Sequence, residues 1–140
     1  AAICGSTPQM AGLQVLEDEY GDQGFEVLGF YSNDFGNQGG SMEQIEACNE
    51  MHGVMFQQFE IEPVIGPSKR PVFDWILSHA NPGPKPDPLE PTWNFHKYLV
   101  SRDGQLVAAF AQGSYMGTDP SSTEWQSHEI VQAIEAELAK

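Results

Sequence analysis

The sequence predicts an α/β layer structure, with a mixed central sheet flanked by helices. Three observations carry that reading: helical and strand-like stretches alternate through the first half of the chain, an Asp103-Gly104 turn joins two later apolar runs, and an amphipathic stretch closes the chain. Helix, strand, helix, strand, helix, then a hairpin and a last helix, is the element order of such a fold. At 140 residues the chain is expected to form one domain, residues 1–140, with a single sizeable core.

Thr7 followed by Pro8 supplies a capping hydroxyl and a proline for the first helical position, and Leu13, Leu16 and Tyr20 continue one apolar face to Gly21. A first helix is predicted over roughly residues 8 to 20. The short apolar run Phe25 to Tyr31 predicts a strand covered on both faces. Asn33 to Gly40 is a Gly- and Asn-rich loop, and Ser41 with Gln44 forms a capping box ahead of Ile45, Cys48 and His52. That second helix ends at Gly53, and Val54 to Ile61 reads as an irregular strand before the loop Pro63 to Pro67. Pro71 opens a third helix carrying Val72, Trp75, Ile76 and His79. Five prolines between Asn81 and Pro91 exclude regular structure there. Tyr98 to Val100 and Leu106 to Phe110 flank the hairpin turn. After a polar stretch from Gln112 to Gln126, Ile130, Val131, Ile134 and Leu138 define the last helix.

Composition narrows the function classes. Apolar residues at 40% and aromatics at 11% fit a packed globular protein, and no apolar run is long enough to cross a bilayer, so membrane insertion is not expected. A net charge of −14, from 20 acids and 6 scattered bases, argues against nucleic acid and anionic membrane surfaces, which require a basic patch. Cys4 and Cys48 are too few for a disulfide framework and lack partners at zinc-like spacing. The four histidines, at 52, 79, 96 and 128, show no ligand spacing either, so no metal or cofactor is expected.

Four segments, in order, carry a resemblance to a known family. They are Cys4-Gly5-Ser6-Thr7-Pro8-Gln9, then Leu28-Gly29-Phe30-Tyr31-Ser32-Asn33-Asp34-Phe35-Gly36-Asn37-Gln38, then Pro71 to Leu77, and finally Trp93-Asn94-Phe95-His96-Lys97-Tyr98-Leu99-Val100 with Arg102-Asp103-Gly104. Together they resemble the glutathione peroxidase family over nearly the whole chain. The resemblance implies a thioredoxin-like fold and a catalytic set of Cys4, Gln38, Trp93 and Asn94. It also implies that Cys48, at the position of a cysteine in the second helix of many bacterial members, resolves the oxidised intermediate as a disulfide. The sequence departs from the family pattern at Asp34, where Gln is usual, and at Gly39-Gly40, so the loop around Gln38 is expected to differ. Members have a hairpin and a first central strand ahead of the cysteine, where this sequence has only Ala1-Ala2-Ile3. The implied fold is therefore N-terminally incomplete, either as a fragment of a longer protein or with a rearranged or partner strand in the gap.

The chemistry is consistent with those residue types. A peroxide-reducing cysteine must be ionised, and a place just before a helix N-terminus supplies partial positive charge. Attack on an O–O bond needs donors for the thiolate and the departing oxygen, and an indole N–H and two carboxamides are neutral, preorganised donors. Taken singly, each residue also has a plainer reading: Cys4 and Cys48 as small core hydrophobes, Trp93 as a core aromatic, Asn94 as a turn former, Gln38 as a loop residue. The expected function is reduction of hydrogen peroxide or organic hydroperoxides through Cys4, with thioredoxin preferred over glutathione as reductant because glutathione is anionic and this chain is acidic. The alternative is a non-catalytic thioredoxin-like interaction module or peroxide sensor. A cytoplasmic location is the expectation, with periplasmic or secreted locations left open.

Overall fold

The computed structural model describes residues 1–79, 90–112 and 128–140. The proline-rich loop, apart from Glu90 and Pro91, and the polar stretch before the last helix, apart from Gln112, lie outside the described residues. Helix α1 (Gln9–Tyr20) leads through a single 3₁₀ turn to strand β1 (Leu28–Phe30), followed by α2 (Met42–His52), β2 (Gln57–Phe59), α3 (Pro71–Ser78), β3 (Lys97–Val100), β4 (Leu106–Phe110) and α4 (Glu129–Leu138).

Among the described residues the strands pair in both senses, in two separate two-stranded sheets. β1 and β2 run parallel with Phe30 opposite Phe59, and β3 and β4 run antiparallel with an irregularity between Leu99 and Val100. The first strand is shorter and less covered than its apolar composition suggests. Only Leu28–Phe30 is extended in a ladder, and Leu28 is 47% exposed, so the expected burial on both faces does not hold there.

The helices behave as their end signals dictate. Ser41 caps α2 in a reciprocal box with Gln44, and Gly53 closes it in the left-handed conformation at φ 63°, which favours glycine. Pro71 stands at the start of α3. Thr7 is the exception. The residue flanking α1 is Pro8, without a side-chain cap, and the Thr7 hydroxyl turns back onto the chain before the helix.

Packing places α1 at the centre. Leu16 and Tyr20 join Leu99, Phe110 and the buried face of α4, Ile130, Val131 and Ile134. Met10 instead joins Tyr31, Phe56 and the buried residues of α2, Ile45 and Cys48, while Leu13 packs against both groups. A third cluster of Phe35, Val64, Phe73, Ile76 and Leu106 anchors α3. Both ends of α1 are thereby fixed, and its N-terminal end presents the Cys4 turn.

Candidate active site

Cys4 lies in a tight turn ahead of α1. The amide of Thr7 donates to the Cys4 carbonyl at 3.0 Å, and the Thr7 hydroxyl donates to the same oxygen at 2.6 Å, standing 3.9 Å from the sulfur. One hydroxyl hydrogen serves one acceptor, so the carbonyl takes it and the turn is locked. Cys4 is partly exposed and its thiol is free.

The chain just before Cys4 runs alongside the loop that carries Gln38. The amide of Ile3 donates to the Gln38 carbonyl at 3.4 Å and that of Ala2 to the Gly39 carbonyl at 3.3 Å. Gly39 lets this loop fold back on its own start, because a Cβ there would lie 2.4 Å from the Ser32 carbonyl oxygen. Asn94, only 6% exposed, donates from Nδ2 to Gln38 Oε1 at 2.6 Å. Gln38 and Asn94, fifty-six residues apart in sequence, are thus one hydrogen-bonded pair. Trp93 is 43% exposed, its ring 6.0 Å from that of Phe35. Among the described residues, none of the three side chains donates to the Cys4 sulfur.

The backbone is unusual on both sides of this pair. Asn37 at φ 57° precedes Gln38, and Phe95 at φ 58° follows Asn94. Left-handed backbone is uncommon in residues other than glycine and marks segments held in place by their surroundings. Asp34, at the first departure from the family pattern, has a local structural use: its carboxylate accepts from the amides of Val64 at 2.7 Å and Ile65 at 3.2 Å, tying the Gln38 loop to the segment ahead of α3.

Cys48 faces inward from α2 and is 5% exposed, in the cluster of Met10, Tyr31, Ile45 and Phe56. Burial pushes its thiol up, and negative charge on Cys4 pushes it further up. The two thiols therefore sense each other electrostatically, although both are free.

Known proteins of similar sequence give the family independently of this geometry. The family model for glutathione peroxidase matches residues 1–77, more than half of the chain. The chain belongs to the glutathione peroxidase family. A hydroperoxy fatty acid reductase of Synechocystis sp. is 44% identical over 116 residues, spanning 79% of this chain and 68% of that protein. A glutathione peroxidase of Lactococcus lactis is 40% identical over 113 residues, spanning 79% of this chain and 70% of the relative. Among solved structures, one described as Trgpx in its apo form superposes with a TM-score of 0.56 at 27% identity, covering 94% of this chain and 74% of the other. The fold is thus thioredoxin-like, of glutathione peroxidase type, and the general function is that of a thiol-redox peroxidase family.

Several residues that shape the site were not singled out by sequence reasoning. Lys97 stood there as one of six scattered bases and as part of the Trp93 to Val100 block, with no role of its own, yet its ammonium reaches Gln9 Oε1 at 2.7 Å, the Phe95 carbonyl at 2.7 Å and the Gln112 carbonyl at 3.4 Å. A lysine inside the apolar block from Phe95 to Val100 was the available signal. Tyr31, Asn49 and Gln58 form a second network beside Cys48. The two side-chain amides pair through bonds of 2.7 and 2.9 Å, and the Tyr31 hydroxyl meets Asn49 Oδ1 at 3.5 Å and Gln58 Nε2 at 3.4 Å. No metal-ligating cluster occurs among the described residues, and no described helix is long and apolar enough to cross a membrane.

Proposed function

We propose that this protein reduces hydroperoxides through Cys4, with Gln38, Trp93 and Asn94 as the donors that assist the step and Cys48 as the resolving thiol. The Asn94–Gln38 hydrogen bond carries the proposal. It engages Gln38 Oε1 and so leaves the Nε2 hydrogens to donate toward a thiolate or a departing oxygen, the polarity the chemistry requires. The pair adjoins the Cys4 turn through the Ile3 amide.

In the first step the Cys4 thiolate attacks the terminal peroxide oxygen. An S–O bond forms, the O–O bond breaks, and the leaving oxygen takes a proton to depart as water or alcohol, giving a sulfenic acid. The Cys48 sulfur then attacks that sulfenic sulfur, forming a disulfide and releasing water, and an external dithiol restores both thiols by exchange. The relative described as a hydroperoxy fatty acid reductase favours an organic hydroperoxide as one substrate.

Thioredoxin-type dithiols fit better than glutathione. Of the bases in the described residues, Lys69 pairs with Asp74, Arg70 with Glu62, Lys140 with Glu137, Arg102 donates to the Gln23 carbonyl, and Lys97 is turned inward. Three of these five are held in ion pairs and Lys97 points inward, which leaves little positive charge to receive the carboxylates of glutathione.

Mass spectrometry after peroxide treatment of wild type, Cys4→Ser and Cys48→Ser tests the scheme. The expected outcomes are a Cys4–Cys48 disulfide in wild type, no oxidation in the first variant, and a sulfenic or sulfinic species on Cys4 in the second. Oxidation that persists in Cys4→Ser refutes the assignment. Steady peroxide consumption with thioredoxin, thioredoxin reductase and NADPH separates an enzyme from a sensor, which would oxidise once.

A further inference from the structure

Among the described residues, Lys97 at the start of β3 carries its charge into the protein with no acid bonded to it. Its ammonium has three acceptors there, all neutral: Gln9 Oε1, the Phe95 carbonyl and the Gln112 carbonyl, and it also stands 5.9 Å over the Phe95 ring. The three acceptors belong to three different segments. Gln9, 1% exposed, is the first residue of α1, and its amide donates to the Ser6 carbonyl within the turn that follows Cys4. Phe95 is the left-handed residue directly after Asn94. Gln112 lies just past β4, accepts a second bond from Gln9 Nε2 at 3.2 Å, and donates from its own Nε2 to the Ser6 hydroxyl.

We propose that Lys97 is a positioning residue for the peroxide step, its ammonium clamping the start of the Cys4 helix to the segment that carries Trp93 and Asn94. The inference rests on the peroxidase reading of Cys4 and names what holds its parts in register. Taking an ammonium out of water is costly, and an apolar side chain of similar length would serve stability at least as well. Burial lowers the Lys97 pKa to about 8, which shows that this cost is felt, while the group stays mainly protonated at neutral pH. What the ammonium provides and an apolar chain cannot is three divergent donors. They reach the Cys4 side of the site and the Asn94 side at once, and one of them holds the carbonyl of a residue in strained backbone. Small displacements matter here, since misplacement of reacting groups by about 1 Å costs about 100-fold in rate.

Two rates measured by stopped flow test this: oxidation of reduced protein by hydrogen peroxide, and reduction of the oxidised protein by thioredoxin. Lys97→Met, folded by circular dichroism, is expected to slow the peroxide step about 10- to 100-fold with the thioredoxin step unchanged. Lys97→Arg, which keeps charge and several donors, is expected to recover most of the loss. A folded Lys97→Met whose peroxide step stays within about threefold of wild type, or whose two steps fall together, overturns the inference. Should Lys97→Met not fold, Gln9→Met removes one acceptor while keeping the ammonium: a slower peroxide step with an unchanged thioredoxin step supports the clamp, and two unchanged rates overturn it. A wild-type protein whose Cys4 does not react with peroxide defeats the peroxidase reading itself, which distinguishes that failure from failure of the clamp.

Discussion

Exchanging Asn94 for aspartate is nearly isosteric, yet it reverses the polarity of the bond on which the site depends. In the native pair Asn94 Nδ2 donates to Gln38 Oε1 at 2.6 Å. A carboxylate in its place accepts only, so Gln38 must rotate its amide to donate Nε2 toward the new oxygen, and its own Oε1 then faces the reacting atoms. The donor is lost to the peroxide step and replaced by a lone pair. Loss of one preorganised donor costs about 100- to 1,000-fold, or about 2.7–4 kcal/mol of transition-state stabilisation. Because Asn94 is 6% exposed, the added negative charge is poorly screened and also opposes a thiolate nearby, which places Asn94→Asp toward the slow end of that range.

The fold is expected to be retained, because the rotated Gln38 still satisfies a carboxylate oxygen. Asn94→Ala behaves differently: it leaves Gln38 Oε1 without its partner, at about 1–3 kcal/mol of stability, while Gln38 Nε2 remains free to donate. The assay is the second-order rate of Cys4 oxidation, followed by tryptophan fluorescence in a stopped-flow instrument, alongside a thermal melt. Asn94→Asp should be the slower of the two variants, and at neutral pH the less stable, because it buries a carboxylate beside a single neutral donor. An Asn94→Asp protein that melts like wild type and reacts within about threefold of its rate would refute the claim that this pair orients a donor.

Three further outcomes follow from local geometry. Gly39→Ala puts a Cβ 2.4 Å from the Ser32 carbonyl and 2.6 Å from Asn33 Oδ1, and should cost roughly 1–3 kcal/mol, seen as a fall of several degrees in Tm. Asn49→Ala removes the amide pairing that ties α2 to Gln58, and should raise the rate of Cys4–Cys48 disulfide formation after one equivalent of peroxide, with the initial oxidation of Cys4 unchanged. Lys97 has a folded-state pKa of about 8 against an ordinary 10.5, so between those values the unfolded chain binds more protons and stability rises with pH; denaturant titrations at pH 7 and pH 10 should show wild type gaining on Lys97→Met as pH rises.

The elements with chemical punctuation were legible in the sequence. The Ser41–Gln44 box, Gly53, Pro71 and the Asp103-Gly104 hairpin each fix local backbone by a short-range mechanism, and each stands where those residues place it. Short-range reasoning failed at Thr7, whose hydroxyl turns to the Cys4 carbonyl, and at Phe25 to Val27, where Phe25 packs on the α1–α4 cluster and Val27 on the α1–α2 cluster without joining a ladder. Gln38 and Asn94 were named through motif resemblance, but nothing in either segment encodes a bond across fifty-six positions. Lys97 was overlooked for a related reason. Its acceptors are a glutamine and two carbonyls from distant segments, and a base with no acid at helical or strand spacing resembles any solvated charge until the fold is known.

Burial of Cys48 has a consequence for the order of events. A thiol pushed up by burial, and further up by negative charge on Cys4, is a poor nucleophile while α2 is intact, because exchange chemistry runs through the thiolate. The same surroundings push the Tyr31 hydroxyl up to about 12, which keeps it protonated and able to hydrogen-bond Asn49 beside Cys48. Under the proposed resolving role of Cys48, resolution requires local opening of α2, which the Tyr31–Asn49–Gln58 network and the cluster of Met10, Ile45 and Phe56 oppose. In this scheme the first sulfur is released to react at once and the second is held back by α2, and the strength of the α2 network sets how long a sulfenic acid stands exposed to a second peroxide.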